Sequence, residues 1–399
     1  MREWMVTPSV AVDPQRVQRN VDHMQRLATQ HGVSLRPHVK THKTVEIAAM
    51  QLGAGAVGLT VSKPTEALKF MHSGLPQLRS VLLAYPVVQV GKLNKLLMAA
   101  QQFGVEFRIT VDSAEGLVAL EKAATACDAV PKALIHIDVG YHRVGLEEGD
   151  ARLLEFAQRL HASKHIEFEG ILSHAGHAYS CSSVDECAAV AETERATMVR
   201  VRDSILALGI PVPTVSCGST LTELARRDFT GITEIRPGNY VFLDRTPVRM
   251  GLSPVHDVSL TVLVTVVSAN RRYFIVDAGS KVLSSDTTRA GRDEGAFGAD
   301  CFGLAVREAD FALLQGKEPA SHRSTAADGS REIHCWEVKK LSEEHGWVQQ
   351  VDGLPAPAIG QRLLLLPNHS CVVANLADAL YVQGEQATMW KTVSRGCTQ

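Results

Sequence analysis

Eight short apolar runs punctuate the first 240 residues, ending near Lys40, Thr60, Ala84, Val111, Asp138, Ser173, Ser216 and Arg236. Between them lie stretches whose apolar residues recur at helical spacing: Val45–Leu52, Thr65–His72, Gly91–Gln102, Ala114–Ala126, Ala151–Leu160 and Cys187–Leu208. The runs return every ~20 to 43 residues, the length of a strand and its crossover helix, and eight such units close naturally into a (β/α)8 barrel. A doubly wound open sheet is the other way to close the same alternation. From about His256 the pattern changes to short β-rich runs, at Val258–Val267, Arg272–Val276, Glu332–Lys339, Trp347–Val351 and Arg362–Leu366. The segments Asp286–Asp300 and Gly316–Ser330 are polar, Gly-rich and turn-like. Trp4–Val12 predicts a strand ahead of the barrel. The division expected is a barrel over 12–250 and a β-domain made of 1–11 with 251–399.

The 399 residues carry 41 Lys and Arg against 43 Asp and Glu, a formal charge of −2 without a basic block, which argues against a nucleic-acid or membrane-surface partner and for a small molecule. No run approaches the ~18 apolar residues of a membrane span, and Met1–Val10 lacks the apolar core of a signal peptide, so the expected compartment is the cytoplasm. The eight cysteines contain no Cys-x-x-Cys pair, so structural disulfides are not expected.

Barrels of this kind gather chemistry where the strands stop. The first stop, Leu35 to Lys43, packs Arg36, Lys40 and Lys43 with His38 and His42 into nine residues. A lysine buried there would lose pKa toward the nucleophilic range, whereas a solvated basic loop would be the bland alternative. Four more stops are polar: His136 to Arg143, Leu172 to Tyr179, Ser216 to Thr220 and Glu234 to Tyr240. The turns Gly218-Ser219-Thr220 and Pro237-Gly238-Asn239-Tyr240 follow the last two strands, where backbone N–H groups and hydroxyls often cradle a phosphate. In the second domain, Leu363 to Leu366 lead into Pro367-Asn368-His369-Ser370-Cys371. If the chain stays extended there, His369 and Cys371 face one side, and imidazole with thiolate favours Zn2+.

These residues together resemble the fold-type III pyridoxal-phosphate enzymes of the D-threonine aldolase and D-serine dehydratase superfamily. The matching motifs run in one order along nearly the whole chain: RPHVKTHK (36–43), AGAVGLTVS (54–62), LLAYP (82–86), IDVGYHRVG (137–145), SHAGHAY (173–179), GST (218–220), EIRPGNYVF (234–242), VDAG (276–279), EHG (344–346) and LPNHSC (366–371). The resemblance implies an alanine-racemase-like (β/α)8 barrel with a C-terminal β-domain, pyridoxal 5′-phosphate held by Lys40 as a Schiff base, and a homodimer. Lys43 would be turned to the opposite face. Gly218, Ser219, Thr220, Gly238, Asn239 and Tyr240 would bind the cofactor phosphate end, Tyr179 would lie against the cofactor and His174 would support it. Either Arg143 or Arg236 would meet the pyridine nitrogen.

Aldolases of the superfamily resemble His-x-Asp at the last motif and dehydratases His-x-Cys, the form present here as His369-Ser370-Cys371. The implied reaction is loss of water from a D-3-hydroxy amino acid, D-serine first among them. Lys40 would take the Cα proton, and Zn2+ or another divalent cation on His369 and Cys371 would take the β-hydroxyl, a poor leaving group without a Lewis acid. Dehydration of D-threo-3-hydroxyaspartate, retro-aldol cleavage of D-threonine or D-3-hydroxyaspartate, and a non-catalytic cofactor-binding protein are the alternatives.

Overall fold

The computed structural model describes residues 4–287, 296–384 and 386–399. Eight parallel strands stand where the apolar runs predict them: Ser34–Leu35, Leu59–Val61, Ser80–Leu83, Glu106–Val111, Lys132–Asp138, Glu167–Ser173, Thr214–Cys217 and Glu234–Ile235. From Leu59–Val61 onward each pairs with the next of the eight, and the last lies beside the first, Ser34–Leu35. The remaining gap is closed by the parallel bridge His38–Thr60, with the Val57 N–H on the Leu35 carbonyl at 2.9 Å. An open sheet would leave those two edges apart, so the alternation resolves as a barrel. Leu82, Leu134 and Leu172 pack together from three of its strands, the layered side-chain filling that makes such a barrel solid rather than a pore.

The six expected helices form, within one to three residues at most ends, as Val45–Gly53, Pro64–Met71, Val90–Phe103, Ala114–Cys127, Arg152–Ala162 and Val184–Leu206. Two more appear. Pro14–Gln30 is capped by Asp13, whose carboxylate accepts from the Gln15 and Arg16 N–H groups, and it buries Val17, Val21, Met24 and Ala28 at helical spacing. The short helix Thr220–Ala225 begins at Ser219, which accepts from the Thr222 N–H.

A second, mainly antiparallel sheet has ten strands among the described residues. Leu260–Ala269, Tyr273–Val276, Glu332–Leu341, Gly346–Gln349 and Arg362–Leu366 correspond to the runs read from sequence, and Leu304–Arg307, Ala379–Val382 and Thr388–Lys391 join them. Pairing of Tyr273–Val276 with Leu260–Ala269 rolls the sheet into a closed form. The opening strand Ser9–Val12 runs antiparallel to Leu260–Leu263 and parallel to Tyr381–Val382, in this sheet rather than in the barrel. The turn-like segment Gly316–Ser330 holds one short strand, Arg323–Thr325, paired with Glu332–His334. Of the turn-like segment 286–300, residues 288–295 lie outside the described residues. No helix among the described residues is long and apolar enough to cross a membrane.

The candidate active site

The strand ends converge on a cavity of about 460 Å³ at the barrel mouth, which the β-domain borders through His369, Cys371, Val372 and Asn375. Twelve of the thirteen side chains nominated from sequence line it: Lys40, Arg143, His174, Tyr179, Gly218, Ser219, Thr220, Arg236, Gly238, Asn239, His369 and Cys371. The thirteenth, Tyr240, is set apart. Its ring is buried in the core with the hydroxyl accepting from Gln51 Nε2 at 3.0 Å, and only its backbone N–H returns, to Thr220 Oγ1 at 3.1 Å.

The basic run after the first strand is no solvated loop. Arg36 is buried beneath the mouth, 2.7 Å from Glu234 and 2.8 Å from Ser80 Oγ. His42 bridges Thr44 and Gln51, and burial pushes its pKa down to about 3. Strand alternation does not separate the two lysines, as expected from sequence, because the chain leaves the strand at Leu35 and turns, Lys43 taking a φ of +57°. Their partners separate them. Lys43 Nζ lies 2.7 Å from the buried Glu66 carboxylate, while Lys40 makes no ion pair among the described residues. Burial holds the Lys40 ammonium below its ordinary pKa, with Arg143 and Lys43 acting the same way and the Cys371 thiolate opposing.

His369 and Cys371 meet, but the extended-strand argument for it fails. The strand stops at Leu366, His369 caps a helix over Ser370–Leu376, and Cys371 lies in that helix's first turn. Burial alone would raise the Cys371 thiol; the adjoining His369, Thr41 Oγ1 at 3.2 Å and Lys40 bring it below its ordinary value. Burial alone would lower His369, but Cys371 and Asp244 hold its pKa well above the ordinary imidazole range. The ring of Tyr179 meets that of His369 edge-on at 6.0 Å.

Three more imidazoles face the cavity, His38, His136 and His174, and burial followed by neighbouring Lys40 or arginine charge lowers all three. His174 Nδ1 donates to the Gly218 carbonyl at 3.0 Å, and His136 Nδ1 is buried with no partner among the described residues. Gly218 has a φ of +135°, and a Cβ there would stand 2.9 Å from the Arg236 backbone nitrogen, so the turn requires glycine. Arg236 is fixed by Ser216 Oγ at 2.6 Å and by the Ser173 carbonyl, whereas Arg143 lies over the Tyr141 ring at 5.2 Å.

Sequence reading missed several wall residues. His38, Thr41 and Tyr141 were within motifs already in view, and Lys63 follows the second strand. Cys397 and Thr398 arrive from the end of the chain with no local signal. Asp244 lies beneath His369, with Nδ1 to Oδ2 at 3.2 Å. Asp138, His142 and Glu147, at the end of the strand Lys132–Asp138, in the turn after it and in the short strand Leu146–Glu147, bring ligand atoms within 4.8 Å of one another. There the Asp138 carboxylate is already committed to the N–H groups of Gly140, Tyr141 and His142.

A parallel barrel whose mouth offers a half-buried lysine outside any ion pair among the described residues, glycine turns after its last two strands and an adjoining β-domain defines the alanine-racemase-like, fold-type III pyridoxal-phosphate class. The alanine racemase N-terminal domain family matches residues 12–246, and the serine dehydratase domain family matches 259–383. The chain therefore belongs to the D-serine dehydratase family within that class. It is similar to the D-threo-3-hydroxyaspartate dehydratase of Delftia sp. strain HT23, at 34% identity over 92% of this chain and 90% of that protein. The structure of that enzyme superposes with a TM-score of 0.83, covering 98% of both chains at 30% identity, and a variant of it is known in the metal-free form. It is also similar to a D-serine dehydratase of Dictyostelium discoideum, 28% identical over 94% of this chain and 93% of the other. A D-threonine aldolase of Arthrobacter sp. is 29% identical over 98% and 93%.

Proposed function

We propose that the chain removes water from a D-3-hydroxy amino acid, giving a 2-oxo acid and ammonia. The observation that carries this is the delivery of Lys40 and the His369/Cys371 pair to one cavity, with Thr41, next to Lys40, 3.2 Å from the Cys371 sulfur. Both implied groups fit the residues present. The cavity has room for a substituted pyridine, offers a lysine outside any ion pair among the described residues, and leaves the His136 Nδ1 without a protein partner. Imidazole and thiolate form a donor set suited to a soft-to-borderline divalent ion such as Zn2+.

When bound, pyridoxal phosphate on Lys40 supplies an electron sink for charge at Cα, and a divalent cation on His369 and Cys371 supplies a Lewis acid for the departing hydroxyl. Once the substrate's amino group has displaced it from the cofactor, Lys40 Nζ, kept below its ordinary pKa by burial, would be the base for the Cα proton. Lys43 cannot take that part, because its Nζ is committed to Glu66 and the Ser394 carbonyl. Ser219, Thr220 and Gly238 form the phosphate wall. Of the two arginines, Arg236 is the one that strand-end contacts hold in a fixed position, which suits the ring nitrogen. Asn239 spends its amide Nδ2 on Asp244 and Ser370, so its side chain serves the metal side and only its backbone remains for phosphate. In this reading 12–250 is the cofactor domain, 1–11 with 251–399 is the β-domain, and the active species is a homodimer.

D-serine is the substrate implied by the His-x-Cys motif. D-threo-3-hydroxyaspartate is favoured by a separate observation: five Lys and Arg side chains and no Asp or Glu line the cavity among the described residues. The test is to incubate the holoprotein with D-serine, D-threonine and D-threo-3-hydroxyaspartate, with and without EDTA. Chelator-sensitive 2-oxo acid and ammonia are expected, and glycine from any of the three would replace dehydration with aldol cleavage.

A further inference from the structure

The metal pair rests on a carboxylate that belongs to the other domain's wall. Asp244 is completely buried. Its Oδ2 alone accepts from four donors: Asn239 Nδ2 at 2.7 Å, the Ser370 N–H at 3.0 Å, His369 Nδ1 at 3.2 Å and Ser370 Oγ at 3.4 Å. Oδ1 takes the Thr246 N–H at 3.0 Å. Three of the four Oδ2 donors come from His369 and Ser370, the two residues that precede Cys371. The fourth, Asn239, also directs its amide toward the Cys371 sulfur, at 3.7 Å.

We propose that Asp244 is the positioning residue of the His369/Cys371 pair, a step that rests on reading the pair as a metal site. A carboxylate on Nδ1 fixes one tautomer: the proton sits on Nδ1, and Nε2 keeps the lone pair for an ion. The same oxygen holds the start of helix Ser370–Leu376, and with it the direction of Cys371. By orienting the Asn239 amide it also supplies the sulfur with a weak N–H donor. A bare turn carrying His-x-Cys would leave ring rotation and tautomer free, so this one buried group accounts for the preorganisation of both ligands.

The experiment uses the full-length protein freed of metal by chelation and titrated with Co2+, followed by the near-ultraviolet thiolate-to-metal charge-transfer band. Wild type should show the band, and Asp244→Asn should bind Co2+ about 10- to 100-fold more weakly. Equal affinity in the two proteins, even with a lower melting temperature in the variant, would reduce Asp244 to a cap for Thr246 and Ser370 and overturn the proposal. Absence of the band in wild type would remove the metal reading itself. A second measurement needs no variant: in the wild-type protein loaded with Cd2+, nitrogen-15 spectra of histidine should put the ion on His369 Nε2 and the proton on Nδ1. The ion on Nδ1 would overturn the assignment.

Discussion

Replacing Arg226 with methionine removes a cation wedged between two completely buried carboxylates. Its Nη2 lies 2.7 Å from Glu194 and 2.9 Å from Glu223, its Nε reaches the other Glu223 oxygen at 3.0 Å, and Nη1 holds the Ala191 carbonyl at 2.9 Å. Without it two carboxylates face each other in the core, and the least costly response is protonation. Holding a carboxyl of ordinary pKa protonated at pH 7 costs about 3.7 kcal/mol. Removing one positive charge calls for one compensating proton, so the loss should be about 4 kcal/mol, within the range for breaking a buried pair. For a barrel of this size that is a melting temperature lower by about 8 °C. The sign of the pH dependence follows from which state holds the proton. The folded variant binds a proton that its unfolded chain releases above about pH 4.5, so its stability falls as pH rises. Relative to wild type, the deficit should shrink by about 1.4 kcal/mol per pH unit on acidification, leaving about 1 kcal/mol at pH 5. Differential scanning calorimetry of both proteins from pH 5 to 8 reads this directly. A deficit that is flat across the range, or below 1 kcal/mol at pH 7, would refute the charge argument. The network also touches the site, since Glu194 Oε1 bonds Ser173 Oγ at 2.8 Å and the Gly218 N–H at 3.3 Å. Cofactor affinity should weaken alongside.

Lys40→Ala should abolish both the cofactor's visible absorbance and turnover, while Lys43→Ala should stay yellow yet lose about 3–5 kcal/mol of stability, because Glu66 is left buried without its cation; a colourless Lys43→Ala with a yellow Lys40→Ala would reverse the assignment. Cys371→Ala should retain the cofactor but lose chelator-sensitive turnover, and loss of the cofactor's absorbance would count against separate roles. Lys63 stands 3.9 Å over the Tyr85 ring in the cavity wall. If it reads a second carboxylate, Lys63→Met should lower kcat/KM for D-threo-3-hydroxyaspartate at least tenfold and change that for D-serine less than twofold; equal effects on both would remove it from substrate choice.

The barrel was legible because parallel strands buried on both faces must be written as apolar runs, and the places where those runs stop are the places where chemistry collects. Helix Pro14–Gln30 carried equally plain signals, an Asp13 cap with Pro14 at the first position. Reading from the first strand onward passed over them. Strands such as Leu304–Arg307 were missed for another reason: the run passes straight into the short helix Glu308–Phe311, and its apolar character takes on meaning only beside Arg362–Leu366 and Glu332–Leu341. The site divides the same way. Which groups stand at the mouth follows from the strand ends, but the role of each is set by a carboxylate that arrives from elsewhere in the chain. Arg36 becomes structural because Glu234 closes on it, Lys43 because Glu66 does, and His369 is oriented because Asp244, 125 residues earlier, lies beneath it. Lys40 is paired with no carboxylate among the described residues, which is what the role proposed for it requires. A local motif cannot encode that difference, since Lys40 and Lys43 sit three residues apart in the same basic run, and only the packing of the helix Pro64–Met71 against that run, carrying Glu66 to one ammonium and not the other, separates the lysine proposed to react from the one held in an ion pair.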